Sequence, residues 1–156
     1  MSSLPLEVRR VTREVLLSLA GEDAGDAMTS DSVAPTATRL ACCVRISGSE
    51  DRGFKGQVIV HASVGLALLV AKRMFGEMPK ALFAPESQAG MREIASVLVG
   101  NIAPLLGDGL HVDLPMDLPL DAPYPDLESI AETIVDHYGQ KLEVRVFAEI
   151  EPTTLH

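Results

Sequence analysis

Tryptophan is absent from this 156-residue chain, and the other aromatics are two tyrosines and four phenylalanines. Proteins that bind single-stranded nucleic acid stack bases on aromatic side chains, so that class is disfavoured. Positive charge is also scarce: 13 lysines and arginines stand against 22 aspartates and glutamates, a formal net charge of −9. Such a surface repels phosphate backbones, which makes nucleic acid and anionic membrane poor partners. Long hydrophobic runs are missing too. The longest uncharged stretch, Gly56 to Ala71, contains Gln57 and His61 and falls short of the ~20 residues that span a bilayer. Glu7, Arg9, Arg10, Arg13 and Glu14 precede a very short apolar run, unlike a signal peptide. The expectation is a soluble cytoplasmic protein.

Only two cysteines occur, Cys42 and Cys43, adjacent in sequence. Neighbours on a strand point to opposite faces, so a bridge between them would be strained, and two reduced buried thiols are expected. The four histidines, His61, His111, His137 and His156, do not pair at metal-ligand spacing. No phosphate-binding glycine loop, dinucleotide fingerprint, nucleophile elbow or kinase signature is present. The doubled Asp113-Leu-Pro-Met and Asp117-Leu-Pro-Leu lacks the glycine and closing glutamate of a calcium loop. Nothing marks the chain as an enzyme with its own metal, cofactor or triad.

What remains is ordinary globular material, 47% hydrophobic and 22% charged, enough for one domain over 1–156 with a core of its own. Leu4, Val8, Val11, Val15 and Leu19 recur at helical spacing, with Ser3 as cap, Pro5 in the first turn and Gly21 as stop. Gly21 to Pro35 reads as an acidic loop. Thr38 to Ser47 and Phe54 to His61 read as a hairpin turning at 48–53. Ser63 is placed to cap a second helix, Val64 to Phe75, closed by Gly76 with Lys72 and Arg73 in its last turn. Pro85 opens a third helix with a stripe of Met91, Ile94, Val97, Leu98 and Ile102, closed by Pro104 and Gly107. Leu110 to Leu120 is extended, and Lys141 to Ile150 alternates as a last strand. Between them, Leu127, Ile130, Ala131, Ile134, Val135 and Tyr138 fit a helix over 126–138, capped by Asp126 and ended by Gly139, with a hairpin at Gly139 as the competing reading. The expected fold is α+β, helices packed on a mainly antiparallel sheet.

The third helix carries the functional signal. Glu93 and Ser96 are three residues apart and share a face, away from the stripe of Ile94, Leu98 and Ile102. Ala89, Arg92, Val99, Gly100 and Ala103 complete that face, and most are small. Small residues let another surface approach closely, while one carboxylate and one hydroxyl project as specific contacts. On periodicity alone, helix-forming alanines and a solvated glutamate account for the same pattern.

The run Glu93-Ile-Ala-Ser96-Val-Leu-Val-Gly100-Asn101 resembles the signature helix of the CheX branch of the CheC/CheX/FliY chemotaxis phosphatases. That signature reads Glu-x-x-Asn, then three residues, then Gly. Gly56 to Val60 leading into Ala67 to Gly76 resembles the family's strand and helix, Val112 to Pro115 its short strand ending in proline, and Gly139 to Val146 its last strand. The resemblance covers most of the chain in order. It implies a CheC-like fold with a strand near 126–138, a homodimer joined through sheet edges, and a phosphorylated CheY-type response regulator as partner. It also implies hydrolysis of that regulator's aspartyl phosphate. The regulator holds its own Mg²⁺, so the phosphatase contributes positioning and electrostatics rather than a metal or nucleophile. By resemblance Glu93 is the glutamate that engages a lysine of the regulator, and Ser96 stands where the asparagine orients the attacking water. A hydroxyl reaches less far than an amide and lacks its fixed donor–acceptor pair. The sequence therefore leaves two expectations: a phosphatase using Glu93 and Ser96, or a module of the same fold that docks a regulator without hydrolysis.

Overall fold

The computed structural model describes residues 3–20, 39–48, 53–76, 85–137 and 139–149. In chain order the elements are α1 (Leu4–Ala20), β1 (Arg39–Ser47), β2 (Lys55–Ser63), α2 (Val64–Phe75), α3 (Pro85–Leu106), β3 (His111–Val112), β4 (Met116–Leu118), β5 (Glu128–His137) and β6 (Gln140–Ala148). The six strands form one sheet in the order β3-β1-β2-β6-β5, with β4 also on β1, and every pairing is antiparallel. The anticipated α+β class is the observed one. The acidic loop of 21–35, the Gly21 stop and the turn tip at 49–52 lie outside the described residues.

The three described helices pack on one sheet face. Val8, Val11, Val15 and Leu16 of α1, Leu66 and Val70 of α2, and Met91, Ile94, Leu98 and Ile102 of α3 meet Cys42, Val44, Val58, Val60, Val144 and Val146 in a single core. Fully burying side chains of this size stabilises the fold by about 1.5–3 kcal/mol each before chain entropy is counted. Ser3 caps α1 as expected, its Oγ accepting from Leu6 N–H at 3.4 Å. Gly76 closes α2 in the left-handed region at φ 79°, donating to Lys72 O. Arg73, expected to serve the end of its own helix, caps α1 instead, donating to the carbonyls of Leu19 and Ala20.

Two local expectations are corrected. Ser63 makes no side-chain cap on α2, because its hydroxyl accepts the Lys141 backbone N–H at 2.8 Å. Strand β2 runs directly into the helix, so Ser63 is still held by the sheet. The helix expected over 126–138 is the strand β5, paired residue by residue with β6. A bulge between Ser129 and Ala131 explains the misleading pattern. It places Ile130 beside Ala131, and this doublet, four residues before Ile134-Val135, imitates helical spacing. The true periodicity is two: Ala131, Thr133 and Val135 are buried, while Glu132, Ile134 and Asp136 face out. The hairpin reading is the observed one. Gly139 turns at φ 82°, and its N–H donates to Asp136 Oδ1 at 3.0 Å.

The opposite sheet face is covered in part by the chain before β5. Cys43, Ile59 and Phe147 form a small second cluster with Leu118 and Leu127. Tyr124 lies over the Arg145 guanidinium at 4.5 Å and against the Phe147 ring. Cys42 and Cys43 are both buried and unbridged, one on each face of the sheet.

Candidate functional site

Helix α3 is 22 residues long and lies in the core layer with one face free. Its burial follows from its sequence. Met91, Ile94, Ala95, Leu98, Val99, Ile102 and Ala103 are buried, whereas Arg92, Glu93, Ser96, Gly100 and Asn101 are exposed. Val99 and Ala103, expected on the free face, belong to the buried side, and Ala89 is half-buried. The free face is therefore narrower than the periodicity suggested, and its polar members are more prominent on it.

Close packing against α2 fixes the helix. A Cβ at Gly90 would fall inside van der Waals contact with the Ala67 carbonyl and lie 3.1 Å from Ala71 N, so only glycine lets the two backbones approach this far. Gly100 is different. A Cβ there would meet nothing within 4 Å. Glycine inside a helix costs about 0.5–1 kcal/mol relative to alanine, and no contact within the described residues offsets that cost.

Glu93 and Ser96 project from this face with no hydrogen bond or ion pair among the described residues, while both flanking polar groups are engaged. The Arg92 guanidinium reaches Asp117 on β4, with Nε 3.0 Å from Oδ1 and Nη2 2.9 Å from Oδ2. It does not neutralise Glu93. Asn101 donates from Nδ2 to the Val97 carbonyl at 2.7 Å, one turn back on its own helix. It points away from the face and does not replace the missing asparagine at position 96.

Asp117 was not anticipated as a member of this neighbourhood. It stands in register with Cys42, whose thiol lies 3.7 Å from Oδ1. Burial, then the Asp117 charge, pushes that thiol up to about 12. The hydrogen bond to Asp117, then its charge, pushes the Arg92 guanidinium above its ordinary value. The repeated Asp-Leu-Pro was the one available signal, and its second copy is the piece that matters.

A cavity of about 310 Å³ lies elsewhere, lined by Arg39, His61, Ser63, Ile134, Lys141 and Glu143. It opens on the sheet face away from the helices. His61 Nδ1 sits 3.4 Å from Glu143 Oε2 without hydrogen-bond alignment. Among the described residues no group of histidine, cysteine and carboxylate side chains is arranged to hold a metal ion. No described helix is long and apolar enough to cross a membrane.

The family described as chemotaxis phosphatase CheX matches residues 40–120, more than half of the chain, from β1 through α3 to β4. The chain belongs to the CheX family. Solved structures agree on the fold. The chemotaxis protein CheX of Vibrio vulnificus is 16% identical with a TM-score of 0.61, the match covering 95% of this chain and 100% of that one. A CheC-like chemotactic protein of Shewanella oneidensis MR-1 is 18% identical with a TM-score of 0.59, covering 90% and 96%. A structure of the CheX–CheY–BeF₃–Mg²⁺ complex of Borrelia burgdorferi contains a chain 14% identical with a TM-score of 0.55, covering 90% and 97%. No curated protein matches the chain. Strand β5 is the strand that the family resemblance anticipated near 126–138 and that the competing hairpin reading allowed.

Proposed function

We propose that this CheX-family chain binds a phosphorylated CheY-type response regulator through the free face of α3 and accelerates loss of its aspartyl phosphate. The observation that carries the proposal is that Glu93 and Ser96, without partners among the described residues, share one exposed face, while Arg92 beside them is tied to Asp117. A carboxylate without a partner among the described residues is available to a cation of the regulator. A hydroxyl one turn away is available to a water or a phosphoryl oxygen. The reacting group and its Mg²⁺ belong to the regulator, so this face supplies orientation alone. The Borrelia complex supports a CheY-type partner for the fold.

Ser96 favours a second reading, in which the chain docks the regulator without hydrolysis. Misplacing a water-positioning group by about 1 Å costs roughly a hundredfold in rate. The two readings separate on Ser96→Asn, with phosphate loss from CheY-type regulators of the same cell followed over time. A wild type that accelerates the decay is a phosphatase. A wild type that forms the complex but leaves decay unchanged, and gains activity on Ser96→Asn, is a docking module. A chain that neither binds nor accelerates sinks both.

We further propose a homodimer through β5. This strand is ten residues long and, among the described residues, has β6 as its one neighbour in the sheet. The other sheet edge is broken into β3 and β4, two and three residues long, with Pro115 between them and Pro119 after them. A long edge strand, regular from Ala131 to His137 beyond its one bulge, is a template for a second copy, and prolines discourage pairing at the other edge. Light scattering should report twice the chain mass for the wild type, and a monomer would refute the pairing.

A further inference from the structure

Arg92 has a place on the α3 face that its salt bridge alone does not explain. At about 100° per residue, Ser96 lies roughly 40° from Arg92 on one side and roughly 60° from Glu93 on the other. The three side chains therefore stand as a row of cation, hydroxyl and anion, with Ser96 in the middle. The guanidinium uses one edge of its fork, Nε and Nη2, on the two oxygens of Asp117. Nη1 has no partner among the described residues, and the side chain remains 48% exposed. Asp117 is carried on β4, which is paired to β1, so the partner that fixes the guanidinium is part of the sheet. An exposed pair of this kind adds little to stability, typically 0–1 kcal/mol. What it does supply is a fixed direction for Nη1, since a bidentate guanidinium is locked in plane.

A chain of net charge −9 whose docking face carries Glu93 repels an incoming phosphoryl group unless a cation is fixed close by. Arg92 is the exposed cation of that row, one turn from Ser96. We propose that Arg92, held in place by Asp117, gives its free Nη1 donors to an oxyanion of the regulator's phosphorylated site and so selects the phosphorylated form of the partner. The inference rests on the docking reading above. It assigns the row three tasks: Glu93 meets a cation of the partner, Ser96 faces the water or phosphoryl group, and Arg92 meets negative charge.

The test is a titration of the full chain with a CheY-type regulator, once loaded with Mg²⁺ and beryllofluoride and once unloaded. The wild type should bind the loaded form more tightly. Arg92→Ala should weaken binding of the loaded form about tenfold to a hundredfold, the range of a charged hydrogen bond, and barely change the unloaded form. Asp117→Asn should lose part of the same preference, because the guanidinium is no longer pinned. Arg92→Lys should keep less of it than the wild type, because an ammonium lacks the fork. A structural role alone would not move this ratio, and the melting temperature of Arg92→Ala should stay within about 4 °C of the wild type. Equal weakening of both forms, or no weakening of either, overturns the assignment while leaving docking intact. Failure of the wild type to bind either form overturns the docking reading, and Arg92's role with it.

Discussion

Gly100→Ala should raise the stability of the free protein and lower its affinity for a regulator. The residue sits in the interior of α3, exposed, with open space where a Cβ would stand. Alanine there removes the entropic penalty of a helical glycine, about 0.5–1 kcal/mol, with no clash to oppose it. For a chain of this length that is a rise in melting temperature of about 1–4 °C. The added methyl, however, stands on the same face as Glu93 and Ser96. A partner seated closely on that face must move back or strain, and overpacking costs about 1–3 kcal/mol, or roughly five- to 150-fold in affinity. Thermal melting followed by circular dichroism reads the first effect. Calorimetric titration with a beryllofluoride-activated CheY-type regulator reads the second. Gly90→Ala supplies the contrast: the same substitution on the same helix should destabilise, because the Ala67 carbonyl and the Ala71 amide occupy the space. A Gly100→Ala protein that is stabilised but binds as well as the wild type would refute the claim that partners approach this face. One that is destabilised would refute the openness of the face itself.

Thiol chemistry and pH provide independent checks. Cys42 is buried, with its thiol pushed up to about 12. At pH 8 about one part in ten thousand is thiolate, so a disulfide reagent should leave Cys42 unmodified in the native protein and react once urea unfolds it. Rapid native reaction would show that β1 is not packed as described. His61 is held below its ordinary 6.5 by burial and then by the charge of Arg39, with Arg145 adding to the effect and Glu143 opposing it. The unfolded chain therefore binds this proton more readily than the folded one. The His61 contribution is constant above pH 6.5, and stability falls as pH drops below 6.5, at most by about 1.4 kcal/mol per pH unit. His61→Gln should flatten that part of the stability profile, and an unchanged slope would assign it to other groups.

The fold was largely legible because its elements follow simple periodicities. The stripes of α1 and α3, the alternation of β6 and the glycine after α2 all match the observed elements. In β5 one bulge turned a period of two into an apparent period near four, so the residues favoured a helix over the competing hairpin. The cap at Ser63 failed for a different reason: a non-local partner, the Lys141 amide, outcompeted the local one. At the site, Glu93 and Ser96 were legible as neighbours because i and i+3 on a helix always are. Their freedom was not, since it depends on Arg92 being drawn to Asp117, 25 residues away in sequence. Nor could spacing show that Val99 and Ala103 turn inward, which the packing of α3 between α1, α2 and the sheet decides.

In the proposed complex Glu93, on the free face of α3, is the point at which this chain grips a CheY-type regulator. The most direct test follows phosphate loss and complex formation with phosphorylated CheY-type regulators of the same cell, using the wild type and Glu93→Ala. Glu93 is exposed and unpartnered among the described residues, so its loss should leave the melting temperature unchanged within error. The wild type should bind and hasten the decay, and Glu93→Ala should lose both effects while remaining folded. A Glu93→Ala protein that binds and accelerates as the wild type does would contradict it.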